Sequence, residues 1–307
     1  MSVPAAYLGV ILIWSTTPLG IQWSAQGASF SFAVMSRMLI GLAICLLLLV
    51  ATRTAFPFTP AARRLYAISG LSMFVAMLLT YWGALHIPSG LISVIFGLSP
   101  LVTGVFAALW LSERTLTPIR LVGLGLALAG LWALFGQPWP GDGRATLGTA
   151  AVLAGMTAQA LGLVWIKRLN VRVSALAITT GSLGVAVPFF VLAWVLADSA
   201  QIPSDITPRA SAAIVYLGVL GSVVGFTLYY YIIKHLDAGR VALITLITPV
   251  TALLLGQTLN AEFIPAMGWA GIALIGTGLV LYEWRALRSL QSARAPADNS
   301  LPSNPVD

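Results

Sequence analysis

The residues that most often carry chemistry are scarce in this sequence and lie far apart. The 307 residues include nine Asp and Glu, two His and one Cys. Nucleophilic, acid–base and metal sites need such side chains in clusters. However, His86 and His235 are 149 positions apart, and Cys45 lies alone in an apolar run. We expect both histidines to be surface or capping residues. The pattern predicts no metal, no cofactor, no intrachain disulfide and no enzyme activity.

Polar and aromatic side chains inside the apolar runs are better candidates for binding. Two runs contain, at equivalent positions of the chain, a proline that follows a hydroxyl residue, as Ser99-Pro100 and Thr248-Pro249. Proline cannot donate to the carbonyl four residues earlier. That carbonyl could accept an ammonium group, while hydroxyls and helix N-termini could hold a carboxylate. The predicted substrate-binding residues are Trp14, Thr16, Thr17, Tyr81, Phe96, Ser99, Gln159, Tyr230, Thr245 and Thr248, with helix breaks at Pro100 and Pro249.

Two simpler interpretations of these residues stay open. The hydroxyls could bond carbonyls of their own helices, and the prolines could be packing kinks. Tyr81 and Tyr230, with their aromatic neighbours, could form a belt at the membrane interface. The functional alternative for the two tyrosines is a pair of symmetric gates that stack on substrate rings.

The elements that must position these residues are membrane helices. Apolar residues make up 59% of the chain and charged residues only 8%, and the mean hydropathy is +0.94. Soluble domains carry about 25% charged residues, so the composition excludes a soluble enzyme, a disordered chain and a nucleic-acid reader. About 20 apolar residues cross a bilayer. We find ten such runs, near 5–25, 30–51, 65–86, 88–111, 118–136, 146–166, 174–197, 210–233, 239–260 and 265–284.

The basic residues predict the orientation of these ten crossings. If the N-terminus is cytoplasmic, 13 of the 16 Lys and Arg fall in inside segments, and only Arg144 and Arg209 fall outside. Such a bias predicts cytoplasmic N- and C-termini in a bacterial inner membrane protein. The first run has no basic residue before it and is followed by nine more, so we do not expect a cleaved signal peptide.

A weak internal repeat relates the two halves of the chain. At an offset of 149 residues, seven of the 35 positions from Leu79 to Glu113 are identical, including His86, Pro100 and Glu113. The offset covers five crossings, so the halves should have opposite orientations. This arrangement is typical of secondary transporters, whose substrate sites lie near the membrane midplane between the repeats. We expect inverted repeats over 1–140 and 141–285 and a flexible cytoplasmic tail over 286–307.

The order of short motifs resembles the drug/metabolite transporter superfamily, and within it the EamA-like exporters with ten helices. The motifs are Ile13-Trp14-Ser15-Thr16-Thr17-Pro18, Arg37-Met38-Leu39-Ile40, Tyr81-Trp82-Gly83-Ala84-Leu85-His86, Leu98-Ser99-Pro100, Ser112-Glu113-Arg114, Tyr229-Tyr230-Tyr231, Ile247-Thr248-Pro249 and Ala261-Glu262, with glycines at 123, 130, 271 and 278. Family members usually have glycine before each glutamate, where this chain has Ser112 and Ala261. The resemblance implies an all-α membrane protein and, more narrowly, a bacterial exporter of aromatic or other neutral amino acids.

Three charged residues are predicted to be structural. Arg37 matches a recurrent arginine of that family; it could instead bind a substrate carboxylate. Glu113 and Glu262 end two repeat-equivalent runs and are expected to cap the helix turn that follows each. The paired glycines predict close helix packing, either inside the chain or at the seam of a homodimer.

The scarcity of acidic residues also predicts how transport is driven. Every Asp and Glu falls in a loop, a helix end or the tail, and carriers coupled to protons or sodium commonly use a buried carboxylate. We therefore expect a uniporter or exchanger that works by alternating access on a small-molecule substrate in the lipid bilayer, without nucleic acid. An exporter of other metabolites or drugs, and a channel-like facilitator, are the alternatives.

Overall fold

The computed structural model describes residues 2–111, 117–134, 143–236 and 238–284. Within these ranges, side chains are described except at positions 134, 226, 230, 233–234 and 238–242. Glu113, the side chain of Tyr230 and the predicted tail 286–307 therefore lie outside the described part of the chain.

The described chain is helical. Its elements are α1 (Val3–Gly27), α2 (Phe30–Ala51), α3 (Pro60–Gly83), α4 (Ser89–Gly97), α5 (Ser99–Leu111), α6 (Pro118–Leu134), α7 (Ala145–Leu169), α8 (Ala175–Asp198), α9 (Pro208–Tyr216), a π-helical segment (Leu217–Val224), α10 (Gly225–His235), α11 (Ala238–Asn260) and α12 (Ala266–Tyr282). Eight stretches are long and apolar enough to cross a membrane, and α6 and α12 are shorter apolar helices. With α4 and α5 as one crossing, and α9 to α10 as another, the helices account for the ten predicted crossings.

Local sequence signals mark where several helices begin. Ser29, Thr59, Ser174 and Thr207 are N-caps whose side chains accept a hydrogen bond from the backbone N–H three residues later. Such caps satisfy N–H groups that have no partner within the helix. Proline occupies the first turn of α1, α3 and α9, where its missing N–H costs nothing. These signals explain where those helices begin.

The two repeat-equivalent prolines have different effects on the backbone. The predicted run 88–111 is interrupted at Leu98, so that Ser99 and Pro100 begin a new helix. By contrast, α11 continues through Pro249 without interruption, and the predicted helix break at this position is wrong. The hydroxyl of Thr251 donates to the carbonyls of Ile247 and Thr248, at 3.0 and 3.1 Å.

Glycine seams hold helices of the two repeats together. A Cβ at Gly123 would lie 2.5 Å from the Gly278 carbonyl oxygen, and one at Gly130 would lie 2.5 Å from that of Gly271. These pairs join α6 to α12, because only glycine lets two backbones approach so closely. The glycine pairs that the sequence left open between internal packing and a homodimer seam therefore pack inside the chain.

The helices alternate in direction between two ends of the bundle. We call one the Ser89 end; there α4 begins, α1 and α11 finish, and the loops 84–88, 199–207 and 261–265 lie. We call the other the Lys167 end; there α1, α3 and α8 begin and α7 finishes. The large buried cluster includes Ile21, Ala25, Ile87, Leu91 and Leu253, which lie towards the Ser89 end.

Candidate functional site

Polar side chains join four segments of the chain at the Ser89 end. Gln22 of α1 donates to the Ile87 carbonyl at 3.1 Å, and Asn260 donates to Gln22 at 2.8 Å. The indole of Trp23 donates to Asn260 at 2.9 Å, and Arg209 lies over the Trp23 ring, 3.6 Å from its centroid. We call Gln22, Trp23, Arg209, Asn260 and Glu262 the Ser89 network. It connects α1, the start of α4, the start of α9 and the end of α11.

Glu262 caps α4 rather than the helix that follows it. Its carboxylate accepts hydrogen bonds from the backbone N–H groups of Ser89 at 3.0 Å and Gly90 at 3.3 Å, and from Asn260 at 3.0 Å. The predicted cap on the following helix is therefore wrong, since α12 has Pro265 as its N-cap and no side-chain cap bond. The cause is the turn at Ala261, whose φ of 50° directs the chain back towards α4. A carboxylate at a helix N-terminus also interacts favourably with the helix dipole.

Arg37 is buried where α2, α3 and the π-helical segment meet. Its Nε donates to the Ser222 hydroxyl at 3.3 Å, and its Nη1 donates to the Tyr81 hydroxyl at 3.5 Å. Ser222 in turn donates to the Leu217 carbonyl, five residues earlier, which is the spacing of a π-helix. Tyr81 is fully buried, so the structure positions its ring inside the bundle and not in a belt at the surface. π-Helical turns within α-helices are frequent at functional sites.

Two of the predicted α1 residues contact the helices on either side of the π-helical segment, α9 and α10. Thr16 shares a short hydrogen bond with Tyr216, which directly precedes the π-helical segment. Trp14 packs against Tyr229 of α10, with the ring centroids 4.7 Å apart. Thr17 bonds only the carbonyl of Ile13 in its own helix, at 2.7 Å, among the contacts described. Thus Trp14 and Thr16, but not Thr17, contact the second repeat through polar or aromatic groups.

The remaining predicted residues lie where α4 crosses α11. A Cβ at Gly97 would be 3.3 Å from the Pro249 ring and 3.9 Å from the Thr245 carbonyl oxygen. Phe96, Ser99 and Pro100 are half-buried beside this crossing, and Thr248 is buried in α11. Gln159 of α7 is exposed and makes no hydrogen bond within the described residues. The predicted residues therefore form two groups, one around the π-helical segment and one at the α4–α11 crossing, with Gln159 apart from both.

Several residues that complete these groups were missed by the sequence analysis. Gln22 and Asn260 are polar residues near the ends of apolar runs, a signal that we used only for the midspan positions. Ser222 and Tyr216 carry no motif, but they flank glycines in a run that is otherwise apolar. Ser15 bonds Thr251 across α1 and α11. Each of these residues has at least one partner more than 180 residues away in the chain, which no local pattern indicates.

A cavity of about 350 Å³ lies between α2, α3 and α8. Its lining is apolar, so it offers no group that would orient a polar ligand, and none of the predicted site residues contributes to it. The lining residues are Phe30, Leu78, Leu79, Trp82, Ala193, Leu196 and Ala197.

Comparison with known proteins agrees with this architecture. The chain is 25% identical over 295 residues to a "Probable terminal-alkyne amino-acid exporter" of Streptantibioticus cattleyicolor, covering 93% of this chain and 95% of the relative. It is 27% identical over 211 residues to a "Probable amino-acid metabolite efflux pump" of Escherichia coli K12, covering 64% and 70%. An inner membrane transporter of Escherichia coli K12, YedA, is 25% identical over 203 residues, covering 64% of this chain and 62% of the relative.

A solved crystal structure shares the fold. It superposes with a TM-score of 0.63 at 21% sequence identity, and covers 94% of this chain and 98% of that one. The EamA-like transporter family matches this sequence twice, over residues 3–136 and 146–284. With ten crossings, two repeats and two matches over most of its length, the chain belongs to the EamA-like transporter family.

Proposed function

We propose that this membrane transporter exports amino acids, aromatic and other neutral ones, from the cytoplasm by alternating access. The names of two relatives support an amino-acid substrate. The excess of basic residues in alternate loops supports a cytoplasmic location for the Lys167 end and for both termini. The Ser89 end then faces outward.

One observation carries the proposal: a single face of α1 changes from exposed to buried halfway along the helix. Leu8 and Leu12 are 59% and 65% exposed, whereas Ser15, Leu19 and Gln22 are 2%, 3% and 6% exposed. These five residues are spaced by four and three positions, so they lie on one face. The Ser89 half of this face is covered by protein, and the Lys167 half is not.

The same change occurs on α7, the corresponding first helix of the second repeat. Val152 and Met156 are fully buried, but Gln159 and Leu163, on the same face, are exposed. The transition again falls near the middle of the helix. Two helices from different repeats therefore support a cleft that opens at the Lys167 end and stops near the midplane.

The break at Leu98 would account for such a cleft. Before the break, α4 packs against α1, α7 and α11; after it, α5 packs mainly along α7. The second half of this crossing thus turns away from α1 and leaves its face uncovered. The Ser89 network then closes the far end of the cleft, as alternating access requires of one conformation.

The placement of carboxylates supports transport without a carboxylate relay. Within the described helices, the acidic residue is Asp198, the last residue of α8, where it accepts hydrogen bonds from Ser29 and Ser31 near the start of α2. A proton or sodium relay commonly needs such a group at membrane depth. We therefore propose uniport or exchange driven by the substrate gradient.

Counterflow in proteoliposomes tests this function. Vesicles are preloaded with one unlabelled compound, and uptake of its labelled form is measured. The compounds are phenylalanine, leucine, alanine and a polyamine. We expect saturable counterflow of the neutral amino acids. Its rate should stay the same when a proton gradient is imposed across the vesicle membrane and then collapsed. Uptake that does not saturate would indicate a channel. Uptake that stops on collapse of the proton gradient would contradict the absence of a relay.

Two substitutions connect the test to the structure. Trp14→Ala, which removes the contact with Tyr229, should reduce counterflow about tenfold, equivalent to about 1.4 kcal/mol. Trp132→Ala is the matched control, because Trp132 is 79% exposed on α6. Equal losses in both variants would show a general effect on the protein and would contradict a binding role for Trp14.

A further inference from the structure

Arg37 brings a positive charge into a helix that crosses the membrane. It lies seven residues after the start of α2, or about 10 Å along the helix at 1.5 Å per residue. Its side chain is only 5% exposed. Charged residues at membrane depth are costly, and those that occur usually face the interior and have a partner. A buried Arg37 therefore needs a group that balances its positive charge.

The described partners of Arg37 are two neutral hydroxyl groups. The bonds to Ser222 and Tyr81 are 3.3 and 3.5 Å long, near the upper limit for hydrogen bonds. A guanidinium has five N–H donors, so most of its donors are not used by these two acceptors. Neutral hydroxyls orient the group but do not balance its charge.

No described carboxylate forms an ion pair with Arg37. Asp198 accepts from Ser29 and Ser31, and Glu262 caps α4. The other described acidic residues are Asp205, in the loop before α9, and Glu283, after α12. Buried charges are normally paired, because desolvating an unpaired ion is expensive. A ligand that supplies a negative charge would complete this site.

A glycine of the π-helical segment lies against the guanidinium. A Cβ added to Gly221 would lie 3.4 Å from Nη2 of Arg37, so the absence of a side chain keeps that nitrogen uncovered on this side. A Cβ added to Gly225, further along the chain, would lie 3.4 Å from the Trp14 indole nitrogen. Tyr229, which packs against Trp14 of α1, lies about two turns after Gly221, where the π-helical segment continues into α10.

We propose that Arg37, oriented by Tyr81 and Ser222, binds the carboxylate of the transported amino acid. The planar guanidinium can hold a carboxylate through two parallel hydrogen bonds. This inference rests on the proposed function and names the charge that the substrate must carry. It reverses the structural role that the sequence favoured for Arg37, because the structure contains the cation and its orienting hydroxyls without an acidic partner in the described residues.

The cation of the site is present in one repeat only. α8, which corresponds to α2 in the second repeat, contains no Lys or Arg. The two repeats would otherwise offer the carboxylate two symmetric positions. A single cation gives the substrate one orientation, with its carboxylate towards α2.

Ligand-induced thermal stabilisation of the detergent-purified full chain tests the site. The probes are 3-phenylpropionate and its uncharged amide, which share ring and chain. We expect the wild type to bind the carboxylate at least about tenfold more tightly than the amide. Arg37→Gln should reduce this ratio to about one while the affinity for the amide stays unchanged. A purely structural role would lower both affinities together.

Two further variants keep the charge and test the orienting groups. Ser222→Ala and Tyr81→Phe should each reduce the ratio of carboxylate to amide affinity about threefold. These two variants test the proposal if Arg37→Gln does not fold. Arg168→Gln is the matched control, because its guanidinium lies over Trp165 at the Lys167 end. A wild-type ratio near one, or a ratio that survives in the folded variants, would overturn the proposal. Loss of counterflow with an intact ratio would instead reject the proposed amino-acid export.

Discussion

The two ends of the bundle differ in what covers the same helix faces. At the Ser89 end, side chains of α1 are buried and a network with Glu262 joins four segments. Towards the Lys167 end, Leu12 on the same face of α1 is 65% exposed. Leucine occurs in both halves of that face, as Leu8 and Leu12 in one and as Leu19 in the other, and only Leu19 is buried. The difference follows from α4 and α5, which cover α1 before the break at Leu98 and leave it afterwards.

Closure at the Ser89 end depends on few polar contacts. The Glu262 carboxylate and the Asn260 amide make four hydrogen bonds between segments that otherwise meet through apolar side chains. Lipid is as apolar as these side chains, so apolar contact alone discriminates weakly between packed and separated helices. Substitutions in the network should therefore open the Ser89 end without unfolding the helices.

The largest effect is expected from Glu262→Ala. It removes the acceptor for the N–H groups of Ser89 and Gly90, and bonds to charged groups contribute about 2 kcal/mol. The open fraction of the Ser89 end should rise about 30-fold. The measurement uses Leu19→Cys in a Cys45→Ser background, labelled from the outside with an impermeant thiol reagent.

Asp205→Ala is the control for that variant, because Asp205 is exposed in a loop at the same end and bonds only the neighbouring Ser204 among described residues. Its labelling should match that of the parent protein. An increase of similar size in both variants would contradict a specific role for Glu262.

A smaller effect is expected from Gly90→Ala. The added Cβ would lie 2.8 Å from the Leu253 Cα, so α4 and α11 must separate at the Ser89 end. Overpacking of this kind costs about 1–3 kcal/mol. Labelling of the Leu19→Cys reporter should increase about tenfold. Gly184→Ala is the control, since nothing lies within 4 Å of its added Cβ. Unchanged labelling in Gly90→Ala would show that the helices do not need this close approach.

The smallest effect is expected from Ala261→Gly, and its sign is opposite. The φ of 50° at Ala261 is left-handed, where an L side chain costs about 1 kcal/mol and glycine does not. The variant should stabilise the turn that aims Glu262 at α4 and raise the Tm by about 1–3 °C. Ala270→Gly, on the exposed face of α12, should lower the Tm, because glycine weakens helix interiors. A lower Tm in both variants would contradict strain at Ala261.

The ten apolar runs could be predicted because each helix must satisfy the bilayer by itself. The predicted run 30–51 coincides with α2, and its N-cap Ser29 is a local signal. The effect of each proline could not be predicted, because the two share the same local pattern: α11 continues through Pro249, while the chain breaks before Pro100. The partners of Glu262 and Arg37 were also beyond reach, since they are contributed by distant helices.

The seam between α6 and α12 has a consequence for biosynthesis. The glycine face of α6 is complete once the first repeat has been inserted, but its partner α12 is the last of the described helices to leave the ribosome. Throughout synthesis of the second repeat, lipid or an insertion factor must cover the exposed carbonyls of that face. The seam of the first repeat is therefore completed only when α12 is inserted, and a nascent chain stopped before α12 keeps an unsealed first half.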